Sequence, residues 1–295
     1  INRSLLLSSL NVFDIKIEPH IFLTNDSFTF IYKKHKNILE KCYNHKTLKD
    51  VAEDVATGVS PGLGDAFVVD NKLVIDLNLE QELIKNLITG GEINRFCLIP
   101  RQNKKLIYCT SQTKIEEYPN IYKHLQQYKD KLEKRVETQS GAIPWFVMLR
   151  PRRQKLFEKP KILIRQTASK IIAAYDEEQW YCLKSGLIVQ LNDNSSIHYL
   201  YLLALLNSRL FEFLYSDLVN EGNRIFPEVK PIQLFKLQIN DANNLEQNEI
   251  ITIVEKIHKE KKINNNTSEL EKILDQKIYK LYNLTEEEIE IIENT

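Results

Sequence analysis

The chain has little of several features that mark particular protein classes. No apolar run reaches the roughly 18 residues that a membrane helix needs, so no membrane span is expected. Glycine supplies only 8 of 295 residues, or about 3% against a usual ~7%. Methionine occurs once and not at position 1, and no cleavable signal pattern is present. We therefore expect this chain to be a piece of a longer protein.

Cysteine is also sparse, and the four that occur do not form a motif. Cys42, Cys97, Cys109 and Cys182 are far apart and never form a CxxC pair. Such scattered residues fit buried thiols in a reducing compartment better than zinc ligands or disulfides. The sequence thus predicts a cytoplasmic protein without a metal centre.

The motifs of several kinds of catalysis are missing. There is no Asn-Pro-Pro-Tyr or Asp-Pro-Pro-Tyr to hold a flipped adenine, no HExxH, no GxSxG and no glycine loop for a nucleotide cofactor. A metal-dependent nuclease site is approached only by Asp65, Asp70 and Lys72, and their spacing does not fit one. We expect no catalysis by this chain alone, although a nuclease site at these three residues stays open as an alternative.

Positive charge is concentrated in one stretch, residues 144–166. Lysines and arginines number 40 in the whole chain, and so do acidic residues, which gives a net charge of zero. This stretch nevertheless holds seven basic residues and one acidic residue, Glu158. Its basic residues are Arg150, Arg152, Arg153, Lys155, Lys159, Lys161 and Arg165. Prolines 151 and 160 forbid one continuous helix, so an aromatic segment, an exposed basic turn and a buried strand are predicted in that order.

Basic side chains beside a strand suit a polyanion, and an ordinary solvated loop before a core strand is the alternative. Within this stretch we expect Arg150, Arg152, Arg153 and Lys155 to face the ligand, with Lys161 and Arg165 bordering the strand behind them. Trp145 and Phe146 are interpreted as core residues rather than as stacking platforms.

Three of the eight glycines, Gly58, Gly62 and Gly64, fall within seven residues. Glycine is needed where φ is positive or where the backbone approaches another group closely. The spacing is neither GxGxxG nor a phosphate-binding loop. The segment is either a tight turn between strands or a backbone contact to a ligand, and we expect it to face the same side as the basic stretch.

Hydrophobic periodicity predicts an α+β fold with mixed strands around a central buried helix, followed by a helical C-terminal arm. Predicted helices cover residues 48–53, 78–88, 118–136, 198–218, 246–261 and 269–282. Predicted strands cover a hairpin over 66–75 and residues 96–100, 106–109, 162–164, 171–175, 180–191 and 232–239. Arg101, Lys104 and Lys105 form a basic turn between two of these strands. The predicted domains are a lead-in segment (1–46), a main domain (47–242) and a helical extension (243–295).

Several short motifs, weak singly, together resemble the TaqI-like C-terminal specificity domain, the target-recognition domain of adenine-N6 DNA methyltransferases and type IIG restriction-modification enzymes. In chain order they are Gly58-Val59, Gly62, Phe67, Ile99-Pro100, Tyr118-Pro119, Leu132, Arg135, Trp145-Phe146, Leu149-Arg150, Lys159-Pro160-Lys161-Ile162 and Leu205-Leu206-Asn207-Ser208. The end of the chain, from Ile278 to Ile289, is similar to the helical tail that often follows this domain. Pro61 and Gly64 depart from the usual pattern.

The resemblance implies that this chain chooses a sequence in double-stranded DNA. A methyltransferase domain on the N-terminal side would perform the chemistry with S-adenosylmethionine, and the parent protein would be a site-specific adenine methyltransferase, with or without nuclease activity. The DNA-binding candidates are then Arg150, Arg152, Arg153, Lys155, Lys161 and Arg165, together with Gly58, Gly62, Gly64, Arg101, Lys104 and Lys105. A protein-interaction module built on the acidic tail and paired helices is the other alternative.

Overall fold

A computed structural model of the protein describes residues 33–219 and 228–295, so most of the predicted lead-in segment lies outside the described residues. The strands are β1 (Lys46–Thr47), β2 (Ala52–Thr57), β3 (Val68–Asp70), β4 (Ile84–Ile88), β5 (Ile93–Asn94), β6 (Cys97–Leu98), β7 (Lys104–Ile107), β8 (Lys161–Arg165), β9 (Ala173–Asp176), β10 (Tyr181–Cys182), β11 (Gly186–Leu191) and β12 (Gln238–Ile239).

The helices are α1 (Lys33–Cys42), α2 (Leu48–Val51), α3 (Gly64–Phe67), α4 (Asn71–Asp76), α5 (Pro119–Gln126), α6 (Lys129–Glu133), α7 (Val136–Gln139), α8 (Lys155–Glu158), α9 (Tyr199–Asn207), α10 (Arg209–Val219), α11 (Pro231–Leu234), α12 (Asn244–Lys262), α13 (Ser268–Leu281) and α14 (Glu286–Glu293). Short 3-10 turns cover Gln81–Leu83, Gly90–Glu92 and Ile115–Glu117.

Two four-stranded sheets form the centre of the molecule. One has the order β10-β4-β7-β3 and mixes parallel and antiparallel neighbours, and the other is antiparallel with the order β2-β11-β8-β9. Two-stranded pairs β1-β12 and β5-β6 complete the strands. The predicted α+β class is therefore confirmed.

The antiparallel sheet is covered on both faces. Ile162 and Ile164 of β8 belong to one apolar cluster, which includes α9 and the C-terminal helices. Leu163, between them, belongs to a second cluster shared with the other sheet. Because successive side chains of a strand point to opposite faces, burial on both sides explains why β8 reads as an unbroken apolar run.

Helix α9 is the predicted central helix, and it ends earlier than expected. Seven of its residues are buried, from Tyr201 to Asn207. The amide of Asn207 donates to the carbonyl of Ala173 at 2.9 Å and accepts from its N–H at 3.0 Å, so this polar residue is satisfied within the core. Ser208 then adopts extended backbone, and its hydroxyl accepts from the N–H of Phe211 at 3.2 Å. Residues 198–218 are consequently two helices rather than one.

The helical extension packs against this centre. Asn243 and Thr285 begin α12 and α14 with reciprocal capping boxes to Glu246 and Glu288. Val254 and Ile278 lie fully buried in the cluster that contains α9. The predicted helices over 246–261 and 269–282 are confirmed, and the boundary at residue 243 stays a prediction.

Four predictions of local structure were wrong. Residues 78–88 form no α-helix, because β4 pairs with β7 and β10 and tertiary pairing overrides the helical spacing. Asp70 caps α4 by accepting from the N–H of Leu73 at 2.7 Å, so no hairpin forms there. Pro231 begins helix α11 in the predicted last strand, of which only β12 remains. The single helix over 118–136 is three short helices, although Ile121, Leu125 and Leu132 are buried as predicted.

All four cysteines are buried free thiols. Burial raises the pKa of the Cys42, Cys109 and Cys182 thiols to about 12, which keeps them protonated. Within residues 33–219 and 228–295, no helix combines the length and apolar character needed to cross a bilayer.

Candidate nucleic-acid interface

The glycine loop and the basic stretch lie side by side. The N–H of Ser60 donates to the carbonyl of Arg150 at 3.0 Å, and the N–H of Arg150 donates back to Ser60 at 2.8 Å. Leu149 adds a third bond to the carbonyl of Pro61 at 3.2 Å. The loop after β2 therefore adjoins the basic stretch, and that its glycines face the same side as the basic side chains stays a prediction.

Residues 150–155, which we call the basic segment, carry four exposed cations. They are Arg150, Arg152, Arg153 and Lys155. Pro151 holds the chain extended, and Arg152 adopts a left-handed conformation with a φ of 62°. The hydroxyl of Tyr108 donates to the carbonyl of Arg152 at 2.8 Å and fixes this turn. The segment is thus held by backbone contacts that leave its side chains directed outward.

Side chains of β2 bind three of the four cations. Arg152 donates to the hydroxyl of Thr57, Arg153 bonds the carboxylate of Asp54 at 2.8 Å, and Lys155 bonds Glu53 at 3.0 Å. The hydrogen bond from Lys155 holds the pKa of Glu53 below its ordinary value. Among the described residues, no acidic group lies within salt-bridge distance of Arg150 or Arg152. The segment's four positive charges are therefore offset by two negative ones.

Lys161 does not face solvent, so the prediction that it contacts DNA was wrong. Its ammonium is fully buried and lies 2.5 Å from the carboxylate of Asp176, and it also donates to the carbonyl of Phe157. The pairing of β8 with β9 places Lys161 directly opposite Asp176. Burial lowers the pKa of Lys161, and the carboxylate of Asp176 partly offsets this effect.

Arg165, at the other end of β8, is half-buried and bonds backbone. Its guanidinium donates to the carbonyl of Ile93 at 2.7 Å and to that of Gly91 at 3.4 Å. These bonds tie β8 to the turn before β5. Arg165 therefore borders the strand, as expected, and its Nη2 is bonded inside the fold.

The three glycines of the loop have different environments. Gly58 is buried, and a Cβ there would lie 2.2 Å from the carbonyl oxygen of Cys182, so close packing explains this glycine and its predicted DNA contact was wrong. Gly62 is exposed and has a φ of 82°, which favours glycine. Gly64 begins α3 with open space around its Cβ position. Gly62 and Gly64 remain candidates at the surface.

Arg135 is an organising residue that the charge pattern did not single out. Its guanidinium donates to the carbonyls of Trp145 at 2.7 Å, Val147 at 3.0 Å and Pro61 at 3.5 Å. Burial lowers its pKa. One arginine thus joins the glycine loop to the chain entering the basic segment. Only its position in the family motif could have indicated this role.

Trp145 makes mainly internal contacts. Its half-buried ring lies 5.7 Å from the ring of Tyr122, and the ammonium of Lys129 lies 5.6 Å from its centre. It packs against the second apolar cluster together with Phe146. These contacts favour the interpretation of both aromatics as core residues.

The basic turn at Arg101, Lys104 and Lys105 is attached to the mixed sheet. The carboxylate of Glu92 accepts from the N–H of Arg101 at 2.6 Å, and Lys105 donates to Asn86 at 2.5 Å. Burial acts to raise the pKa of Glu92, but hydrogen bonds from Thr89, Arg101 and Gln102 outweigh it and lower the value. In the part of the chain that the structure describes, no bond joins this turn to the basic segment.

The residues of the alternative nuclease site do not come together as a metal centre. Asp70 is occupied as the cap of α4, and Asp65 lies exposed in α3. Over residues 33–219 and 228–295, no group of three or more His, Cys, Asp or Glu side chains could hold a metal ion. Two glutamates of the acidic tail have intramolecular partners: Glu288 binds Lys41 at 2.6 Å, and Glu293 accepts from Tyr279 at 2.6 Å.

Comparison with known proteins identifies a family and a curated relative. The family model of the TaqI-like C-terminal specificity domain matches residues 85–239, which is just over half of the chain. The Type II methyltransferase M.MjaIV of Methanocaldococcus jannaschii is 29% identical over 192 residues. The match covers 62% of this chain and 62% of that relative, so the chain spans less than two thirds of its length.

Two solved structures are also similar. The Type IIL restriction-modification enzyme MmeI, in complex with DNA, gives a TM-score of 0.59 at 13% identity, covering 86% of this chain and 36% of that one. The type IIG restriction endonuclease BpuSI gives 0.48 at 14% identity, with 85% and 32% covered. The likeness to the first supports the fold alone.

Proposed function

We propose, from the premise that this chain belongs to the family of TaqI-like C-terminal specificity domains, that it recognises a sequence in double-stranded DNA through the basic segment and the adjoining glycine loop. The observation that carries this proposal is the exposure of four cations on a segment whose backbone is bonded to that loop. Cations presented together bind phosphates with release of counterions, and this supplies affinity that depends on salt.

The four cations divide into two kinds of candidate. Arginine can bind the edge of a guanine with two hydrogen bonds, worth ~1–3 kcal/mol of discrimination for each good pair. Arginine and lysine can also hold phosphates, which positions the protein without reading bases. Arg150 and Arg152, which have no acidic group within salt-bridge distance in residues 33–219 and 228–295, are the proposed primary contacts. Gly62, Gly64, Arg101, Lys104 and Lys105 are proposed as further contacts around them.

The proposed setting is a restriction-modification methyltransferase of which this chain supplies the specificity domain. The catalytic domain would lie on the N-terminal side, bind S-adenosylmethionine and methylate adenine in the cytoplasm. In this arrangement residues 47–242 form the recognition domain and residues 243–295 a helical extension. The methyltransferase relative supports this setting. Nuclease activity of the parent protein is not part of the proposal.

The test is DNA binding by the full-length protein with Arg150, Arg152 and Arg153 all changed to alanine. A matched control changes Lys256, Lys259 and Lys280, three exposed cations of α12 and α13, to alanine. We expect the first variant to lose at least tenfold in affinity and to show a salt slope lower by up to about three units, according to how many of the three arginines hold phosphates. The control should bind like the unmodified protein. Unchanged affinity, salt slope and site preference in the first variant would refute the proposal.

A further inference from the structure

The basic segment runs alongside β2 in the opposite direction. The backbone bonds of Ser60 and Arg150 begin the alignment. Contacts then follow in descending order along β2: Arg152 to Thr57, Arg153 to Asp54 and Lys155 to Glu53. Lys159 continues the series with Glu53 at 3.8 Å and Asp193 at 3.1 Å. Each cation after Arg150 therefore has a hydrogen-bond or salt-bridge partner. For Arg152 the partner is the hydroxyl of Thr57, and for the later cations it is a carboxylate.

Glu53 and Asp54 are each less exposed than the cations with which they pair. Arg153 is 61% exposed and its partner Asp54 is 27% exposed, while Lys155 is 48% exposed and Glu53 is 30% exposed. A phosphate approaching from solvent would therefore meet the cations first. Ion pairs between exposed side chains are weak, so a phosphate can compete for these cations. The carboxylates stay close behind and repel the phosphate.

From this layering we infer that Glu53 and Asp54 are specificity-determining residues, which weaken phosphate binding by Arg153 and Lys155 and so suppress sequence-independent attachment to DNA. The inference rests on the proposed function. Phosphates are the same in every sequence, so weakening their contribution lowers affinity for all DNA. Contacts to base edges by Arg150 and Arg152 are left unopposed, and the ratio of specific to non-specific affinity rises.

The test replaces both carboxylates by amides of the same shape, in the variant Glu53→Gln/Asp54→Asn of the full-length protein. Binding is measured over a salt series to two probes. One probe is a short duplex of arbitrary sequence, and the other is the duplex that the unmodified protein selects from a randomised library. We expect tighter binding to the arbitrary duplex and a salt slope steeper by up to about two units. With that slope, a fourfold rise in salt should cost the variant roughly tenfold more affinity.

The variant should gain less affinity for the selected duplex than for the arbitrary duplex, so its discrimination between the two probes should fall. A matched control, Glu249→Gln/Glu269→Gln, removes two exposed carboxylates that pair with Lys277 and Lys272 on the C-terminal helices. It makes the same change in net charge away from the basic segment. The control should leave discrimination and salt slope unchanged.

Two results would overturn the inference. One is a carboxylate variant that behaves like the control, and the other is weaker binding to the selected duplex, which would show that the carboxylates position the cations for recognition. The arginine variants described above separate this failure from that of the proposed function. If they lose binding while the carboxylate variant matches its control, only the inference fails. If they bind normally, the proposed function fails as well.

Discussion

Two neighbouring regions, the basic segment and strand β8, are both rich in cations and use them differently. In the segment, Arg153 and Lys155 pair with carboxylates at the surface. In β8, the ammonium of Lys161 has no exposed surface, and its partner Asp176 is equally buried. The difference arises from strand pairing, because the register of β8 with β9 places a carboxylate opposite the lysine inside the core. Charge density along a sequence therefore does not identify which cations can reach a ligand.

Of the variants considered below, the largest loss of stability is expected at Lys161. Changing Lys161 to methionine leaves the carboxylate of Asp176 buried without its cation, and breaking a buried pair from one side costs about 3–5 kcal/mol. We expect that loss in the free energy of unfolding, measured by chemical denaturation. The double variant Lys161→Met/Asp176→Asn should recover most of it, because the amide oxygen can still accept from the N–H of Glu178 or Trp180. A loss below about 1 kcal/mol in the single variant would contradict this account of the pair.

The glycine loop gives the next largest effect and shows the same contrast between buried and exposed positions. Changing Gly58 to alanine would place a methyl group 2.2 Å from the carbonyl of Cys182 and 2.3 Å from that of Leu183. Because both neighbours are backbone atoms, we expect a loss of about 3 kcal/mol in the free energy of unfolding. A Cβ at Gly64 would meet nothing within 4 Å, so changing Gly64 to alanine should change the free energy of unfolding by about 0.5 kcal/mol or less. Thermal unfolding of the two variants measures the difference, and equal melting temperatures would argue against it.

A third environment, a buried carboxyl that forms no salt bridge within the described residues, sharpens the comparison. Burial raises the pKa of Asp275 to about 6, although it accepts the N–H of Arg209 at 2.9 Å. Since this value lies above that of the unfolded chain, the folded state holds the proton more strongly. The stability that protonated Asp275 contributes is therefore fully present below about pH 4 and is lost as the pH rises through about 6.

Asp275→Asn should remove this dependence while keeping the acceptor for Arg209. We expect the variant to equal the unmodified protein near pH 4 and to exceed it by roughly 2 kcal/mol at pH 8. Denaturation at a series of pH values measures the difference. A constant difference between the two proteins across that range would show that Asp275 does not titrate as described.

Much of the fold could be predicted from the sequence where local pattern and tertiary packing agree. The α+β class, the buried α9 and the two helices α12 and α13 follow from apolar periodicity alone. Residues 84–88 were misassigned because Leu79, Leu83 and Leu87 match a helical spacing, while pairing with distant β7 decides the structure. Long-range pairing of this kind has no local signal.

The candidate site shows the same limit. Charge density located the basic segment, and backbone bonds confirm that it adjoins the glycine loop. The sequence could not show that Lys161 is buried, because its partner Asp176 is 15 positions further along the chain and is set by strand register. Nor could it show that Glu53 and Asp54 pair with Lys155 and Arg153, roughly a hundred positions away along the chain.

The smallest effect on stability is expected at Arg153, where the comparison between the two regions is most direct. Its pair with Asp54 is exposed to solvent, and exposed pairs contribute ~0–1 kcal/mol. Arg153→Ala should therefore change the free energy of unfolding by less than about 1 kcal/mol, against about 3–5 kcal/mol for Lys161→Met. The same variant should lower the salt slope of DNA binding by less than about one unit, since Asp54 already weakens the one phosphate contact that is removed. Stability and binding of Arg153→Ala measured on the same preparation test both statements. A large loss of stability would mean that the segment is held by this ion pair rather than by its backbone bonds to Ser60 and Tyr108.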